Sequence, residues 1–255
     1  MKQFYLNRLS GVALVGLLLL SSCHSSYQLK KVEGSRIEIS SKWDRNPDKE
    51  ATAILAPYKT EVDSLMTPVV GKSAMDMEAG RPESLLSNLV ADVLRNATVP
   101  YLGRPADLAV TNMGGLRSSL SAGDITFSNI YEILPFENSL CIVTMKGSNL
   151  RTLMENIAGA GGEGVSNVRL EISKDGKLLS AKVGGEPIDD NRLYEVATLD
   201  YLAEGNDKMV AFLQGEKKVC PDGATMRDLF FSYVKKQTAA GKEITSAIEG
   251  RITVK

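Results

Sequence analysis

The sequence predicts an α/β (mixed α+β) fold in a single domain, and three observations carry that expectation. Short β-type apolar runs alternate with stripes of helical period, an arrangement that favours sheets covered by helices. The run 168–183 turns on Asp175-Gly176, which adds an antiparallel hairpin and makes the sheet content mixed. Neither an internal repeat nor a second regime of composition divides residues 48–255.

Each element follows from its local pattern. Residues 48–65 read as a helix with Ile54, Leu55, Tyr58, Val62 and Leu65 on one stripe, and 67–72 as a short strand. Residues 83–97 give the clearest helix, with Leu86, Leu89, Val90, Val93, Leu94 and Ala97 recurring at three and four. An apolar strand at 107–111 runs into the turn Asn112-Met113-Gly114-Gly115, and Gly123-Asp124 marks another turn. A short helix stops before Pro135, 139–146 is a strand, and Ser148 is placed to cap a helix carrying Leu150, Leu153, Met154 and Ile157. Four glycines between 159 and 164 indicate a flexible loop. After the hairpin come a strand at 193–199, a helix at 224–236 and a closing strand at 251–254.

Composition narrows the function classes. The 255 residues are 43% hydrophobic and 24% charged, with 30 basic and 31 acidic residues and a net charge of −1. No basic block provides the electrostatic footprint of a nucleic-acid binder, whereas one small nucleotide needs only a few placed cations. Residues 1–22 have the pattern of a secretory signal peptide: Lys2 and Arg8, an apolar run from Gly11 to Leu20, then Ser21-Ser22. Leu20-Ser21-Ser22-Cys23 resembles a bacterial lipoprotein box, so lipidation of Cys23 is expected, with residues 23–47 as a tether to a domain at 48–255. That implies export and anchoring to the cell envelope, at the periplasmic face of the outer membrane because no aspartate follows Cys23. Cys141 lies in an apolar run and reads as a buried thiol; it and Cys220 are expected to be free rather than bridged.

The residues suited to binding chemistry cluster in a few motifs. Asn112 to Arg117 sets a glycine turn after a strand and an arginine beyond it; Gly114 would let backbone approach an anion, and Arg117 offers a planar fork of donors. By itself this is an ordinary turn with a surface cation. Gly123-Asp124-Ile125-Thr126, Pro135-Phe136-Glu137-Asn138, and Tyr201 six residues before Asp207 follow in order.

These four motifs, together with Ile248 to Ile252 at the end and the helix at 83–92, resemble the 5'-nucleotidase C-terminal domain family over roughly residues 48–255. The resemblance implies a single nucleotide-binding domain with a mixed sheet and packed helices. It implies that Phe136 and Tyr201 sandwich a nucleobase, although either ring alone would read as core. Asp207 would accept from ribose hydroxyls, or be a solvated loop acid. Asn112 and Arg117 would hold ribose and phosphate oxygens, Asn138 would reach the base edge or merely stabilise its turn, and Arg81 would lie near the phosphates. In the family the loop after the second aromatic usually reads Gly-Gly-Asp-Gly; here it is Gly205-Asn206-Asp207-Lys208, with Asn206 expected to keep some left-handed freedom.

Complete 5'-nucleotidases add a metallophosphatase domain that holds two metal ions through histidines and acids. This chain has one histidine, His24, and neither an Asp-X-His nor a Gly-Asn-His-Asp segment. No catalytic residue, metal ligand or cofactor is therefore expected in it; divalent metals would belong to a separate metallophosphatase subunit. Two other readings stay open: a nucleotide or nucleoside binder without a catalytic partner, and a scaffold with a decayed pocket.

Overall fold

Strand pairing builds the molecule from three sheets in the computed structural model, which describes residues 28–255. The signal peptide expected at 1–22, the lipidation site Cys23 and His24 lie outside the described residues. Backbone contacts divide the chain into two units, Met1–Ala53 and Ile54–Lys255. The first includes a 3₁₀ turn at Ser41–Arg45.

The central sheet has five strands: β2 (Leu108–Thr111), β4 (Leu140–Lys146), β5 (Gly164–Ser166), β9 (Leu193–Leu199) and β10 (Lys217–Val219), in the order β10-β4-β9-β2-β5. β2 runs parallel to β9, while β4 is antiparallel to β9 and β5 to β2, so the sheet is mixed. Alternation along each strand sends neighbouring side chains to opposite faces. One face carries Ala109, Leu140, Ile142, Ala197 and Leu199, packed with α2 (Leu85–Asn96) and α7 (Met226–Ala239). The other carries Leu108, Val110, Cys141, Val143 and Val196, packed with α5 (Gly147–Gly159). Burial on both faces explains why these strands read as continuous apolar runs rather than alternating ones.

A four-stranded sheet holds the expected hairpin, β6 (Val168–Ile172) with β7 (Leu178–Val183), joined by β8 (Glu186–Pro187) and by β11 (Ile252–Val254) parallel to β6. A third pairs β1 (Val69–Ser73) with β3 (Gly123–Thr126). Gly123, expected in a turn, opens that strand with a φ of 110°, which a glycine tolerates.

Three other expectations are corrected. Helix α1 (Lys49–Met66) forms, but its stripe does not pack: Ile54 is 61% exposed, Tyr58 66% and Val62 50%, and none of its residues is buried. The apolar period specifies a helix without supplying a facing surface, since α2, α7 and α5 already cover the central sheet. Ser148 does not cap α5; the N-cap is Lys146, and the Ser148 N–H donates to Asp190 O at 3.2 Å. Cys141 and Cys220 form a disulfide rather than free thiols. The pairing of Val219 with Ile142 and Lys218 with Val143 brings Cys220 opposite Cys141, and β10 has no strong pattern to announce it. Cys141 is fully buried, as its apolar run suggests.

The topology prepares a site at one edge of the central sheet. Thr111 ends β2, Leu199 ends β9, Leu140 begins β4 opposite Leu199, and Gly164 begins β5 opposite Thr111. Residues 112–117, 136–138, 163 and 200–207 therefore all emerge there, beyond the carboxyl ends of two parallel strands, where sheets of this type commonly receive ligands.

Candidate functional site

Seven of the eight residues singled out for binding, Asn112, Gly114, Arg117, Phe136, Asn138, Tyr201 and Asp207, line one cavity of about 370 Å³ together with Gly115. Phe136 is 47% exposed and Tyr201 39%, so neither ring is spent on the core.

The floor is the turn after β2, a 3₁₀ turn at Met113–Gly115. Asn112 is buried, and its Nδ2 donates to Asp207 Oδ2 at 2.7 Å. Its Oδ1 has no hydrogen-bond partner although it is buried. A Cβ on Gly115 would come within 2.9 Å of that oxygen, so glycine is required for the amide to sit there. Arg117 is tied by its backbone N–H to Ile133 O at 3.0 Å, and its Nη1 donates to Gly114 O at 3.3 Å. Its guanidinium lies 5.8 Å from the centroid of the Phe136 ring, a cation–π arrangement that fixes both groups against one wall.

Phe136 and Asn138 lie between α4 (Phe127–Ile133) and β4. Buried Arg227 of α7 donates from Nη1 to Pro135 O at 3.2 Å, and the Met226 N–H donates to Asn138 O at 2.8 Å. Asn138 thus serves its turn through the backbone while its side chain lines the cavity.

Tyr201 is the second residue of the single-turn helix α6 (Asp200–Ala203), and its hydroxyl donates to Asp207 Oδ1 at 3.0 Å. That hydrogen bond, with the carboxylate's charge, holds the Tyr201 phenol above its ordinary pKa. Each Asp207 oxygen accepts one protein donor and keeps further lone-pair capacity for a ligand. The loop is left-handed at Gly205 (φ 81°), Asp207 (53°) and Lys208 (65°). Asn206, expected to carry that freedom, instead donates from Nδ2 to Tyr201 O at 2.9 Å. The strained position falls on Lys208, where the family usually has glycine.

Arg81 is not in this cavity. It lines an adjoining one of about 670 Å³ that shares Gly114 and Asp207 with the first. Its Nε donates to Gly162 O at 2.7 Å, and its Nη2 pairs with Glu163 Oε1. Glu163 is the main residue missed from sequence. Its other oxygen accepts the Met113 N–H, so it holds the Asn112–Arg117 turn and Arg81 together. Burial pushes its carboxyl above the ordinary range, against the pull of the Met113 N–H and Arg81. The available signal is its position between two glycines. A Cβ at Gly162 would meet Pro82 O at 2.5 Å, and one at Gly164 would meet Thr111 Cγ2 at 2.7 Å, so this segment cannot be a free loop. Among the described residues no group of three or more His, Cys, Asp or Glu side chains is placed to hold a metal ion. These residues do not fit the dinuclear centre of a complete 5'-nucleotidase.

The fold and site define an α/β domain with an aromatic and carboxylate-lined pocket at the sheet edge. Residues 67–214 match the family described as 5'-nucleotidase, C-terminal domain, and the chain belongs to that family. Protein UshA of Yersinia enterocolitica is 31% identical over 188 residues, covering 71% of this chain and 33% of the relative. Endonuclease YhcR of Bacillus subtilis is 36% identical over 132 residues, 51% of this chain and 10% of the relative. The crystal structure of a 5'-nucleotidase precursor from Thermus thermophilus matches with a TM-score of 0.70 and 28% identity, covering 80% of this chain and 43% of the other. The chain thus spans a third or less of the length of these curated relatives.

Proposed function

We propose that this protein binds a nucleoside or nucleotide in the cavity between Phe136 and Tyr201, acting in nucleotide catabolism with a separate metallophosphatase chain. The observation that carries the proposal is the convergence of Phe136, Tyr201 and Asp207 on one cavity, with Asp207 held by Tyr201 and Asn112. Two half-exposed rings offer stacking surfaces to a planar base, worth roughly 1–3 kcal/mol per stacked base. A carboxylate pinned by two donors but with free lone pairs suits the adjacent hydroxyls of a ribose. Family membership supports the same reading, since relatives include the Thermus thermophilus 5'-nucleotidase precursor and the NAD 5'-nucleotidase of Haemophilus influenzae, which is 30% identical over 198 residues.

Hydrolysis of a phosphate monoester needs an activated water and charge stabilisation. One histidine in the chain and the absence of metal-ligand motifs support a division of labour, in which the partner holds the divalent metals and this chain holds base and ribose. Anchoring through a lipid on Cys23, on the periplasmic side of the outer membrane, would keep the pocket at the cell envelope. Calorimetric titration with ribonucleosides and their 5'-monophosphates tests the pocket, and binding is expected. Addition of the protein to an exported metallophosphatase from the same cell should then raise turnover at limiting nucleotide. Binding without any such gain would leave a binding protein with no catalytic role. Mass spectrometry of the N-terminal peptide, before and after Cys23→Ala, tests the anchor.

A further inference from the structure

The second cavity beside the proposed nucleoside site bears on which ligand the site accepts. Arg81, Lys208, Glu155 and Glu163 contribute its charged walls, with Asp207 at the seam between the cavities. Arg81 is held by two partners: Nε is on Gly162 O at 2.7 Å and Nη2 on Glu163 Oε1. The Glu163 side chain is 2% exposed and that of Arg81 42%. Both Glu163 oxygens accept, one from Arg81 and one from the Met113 N–H, an arrangement that uses the ionised carboxylate. Around the two cavities the cations Arg81, Arg117 and Lys208 are matched by the carboxylates Glu155, Glu163 and Asp207. A phosphate monoester brings a charge of about −1.5 to −2 and needs a site with excess positive charge. A base and a ribose need rings and acceptors, which the first cavity has.

We infer that Glu163 is a specificity-determining residue: by neutralising Arg81 it sets the site for nucleosides over their 5'-phosphates. The inference rests on the nucleoside reading of the first cavity. Glu163 acts through Arg81 and the Met113 turn rather than by touching a base or ribose. Its effect belongs to the ratio of two affinities, which a purely structural role would not move.

The experiment measures affinities of the four common ribonucleosides and their 5'-monophosphates for the full-length protein, Glu163→Gln and Arg81→Gln. Glutamine keeps an acceptor for the Met113 N–H while removing the charge. The wild type should bind its preferred nucleoside at least as tightly as the monophosphate. Glu163→Gln should raise the ratio of monophosphate to nucleoside affinity about tenfold, and the gain should shrink with added salt. Arg81→Gln should lower monophosphate affinity alone. A wild-type preference for monophosphates, or an unchanged ratio in Glu163→Gln, overturns the inference while leaving the nucleoside pocket standing. If Glu163→Gln fails to fold, an unchanged ratio in Arg81→Gln overturns it equally. Failure of the wild type to bind any of the eight compounds removes the pocket reading itself, and the inference with it.

Discussion

Asp207 and its neighbours show how much of the candidate site rests on individual side chains. Its carboxylate is shared by the Tyr201 hydroxyl and the Asn112 amide, so it is oriented before any ligand arrives. Phe136→Ala and Tyr201→Ala should each weaken nucleoside binding by about 1–3 kcal/mol, measured by calorimetry, with little change in thermal stability because both rings are exposed. Asp207→Asn should lower the Tyr201 phenol toward its ordinary pKa, read from the tyrosinate absorbance on alkaline titration. Lys208, at a φ of 65°, pays for a left-handed backbone that glycine adopts freely. Lys208→Gly should stabilise the fold by up to about 1 kcal/mol in urea unfolding. Glu163 has a folded pKa raised above the ordinary 4.5, so the native state holds its proton more tightly than the unfolded chain. Stability from this group is present below that value and is lost as pH rises through the folded pKa. Glu163→Gln should flatten that decline in urea unfolding over a pH series from about 4.5 upward. Of these residues, the ones that recur as motif letters (Asn112, Phe136, Tyr201, Asp207) were legible in the sequence. Glu163 and Arg227 were not, because they act by hydrogen-bonding backbone far along the chain, at Met113 and Pro135, and such pairings leave no local spacing to read.

Elements whose burial has a period were equally readable. Helix α2 and strand β9 emerge where the pattern sets them, because one helix face and both strand faces are dry. Strands β5 and β10 are three residues each and gain their state from β2 and β4, so their own residues carry little β signal. The disulfide is legible only once β10 is in register with β4. It closes a sequence separation of 79 residues and constrains the unfolded chain accordingly. Cys220→Ala should destabilise the fold by about 2–4 kcal/mol in urea unfolding under oxidising conditions, and the difference should vanish when the wild type is reduced. Helix α1 marks the opposite limit. Its stripe is as periodic as a core helix, yet exposed, because amphipathic patterning reports a preference for burial and not the presence of a partner.

At the scale of the whole molecule, two hydrophobic clusters cover opposite faces of one mixed sheet, and four loops meet beyond the ends of its strands β2 and β9. That arrangement was implied by the order of three of the motifs, Asn112 to Arg117, Pro135 to Asn138 and Tyr201 to Asp207, which sit at the ends or start of strands of the central sheet, whereas Gly123 to Thr126 forms β3 of the two-stranded sheet. A ligand bound there should stabilise the fold by mass action, raising the melting temperature with nucleoside concentration, by about 2.7 kcal/mol at a hundredfold excess over Kd. The central claim is that rings 136 and 201 and the carboxylate of 207 form one ligand slot. A crystal structure of the protein soaked with its best-bound nucleoside tests it directly. The account predicts the base stacked between Phe136 and Tyr201, with ribose hydroxyls donating to Asp207. A nucleoside bound elsewhere, with that slot filled only by water, would contradict it.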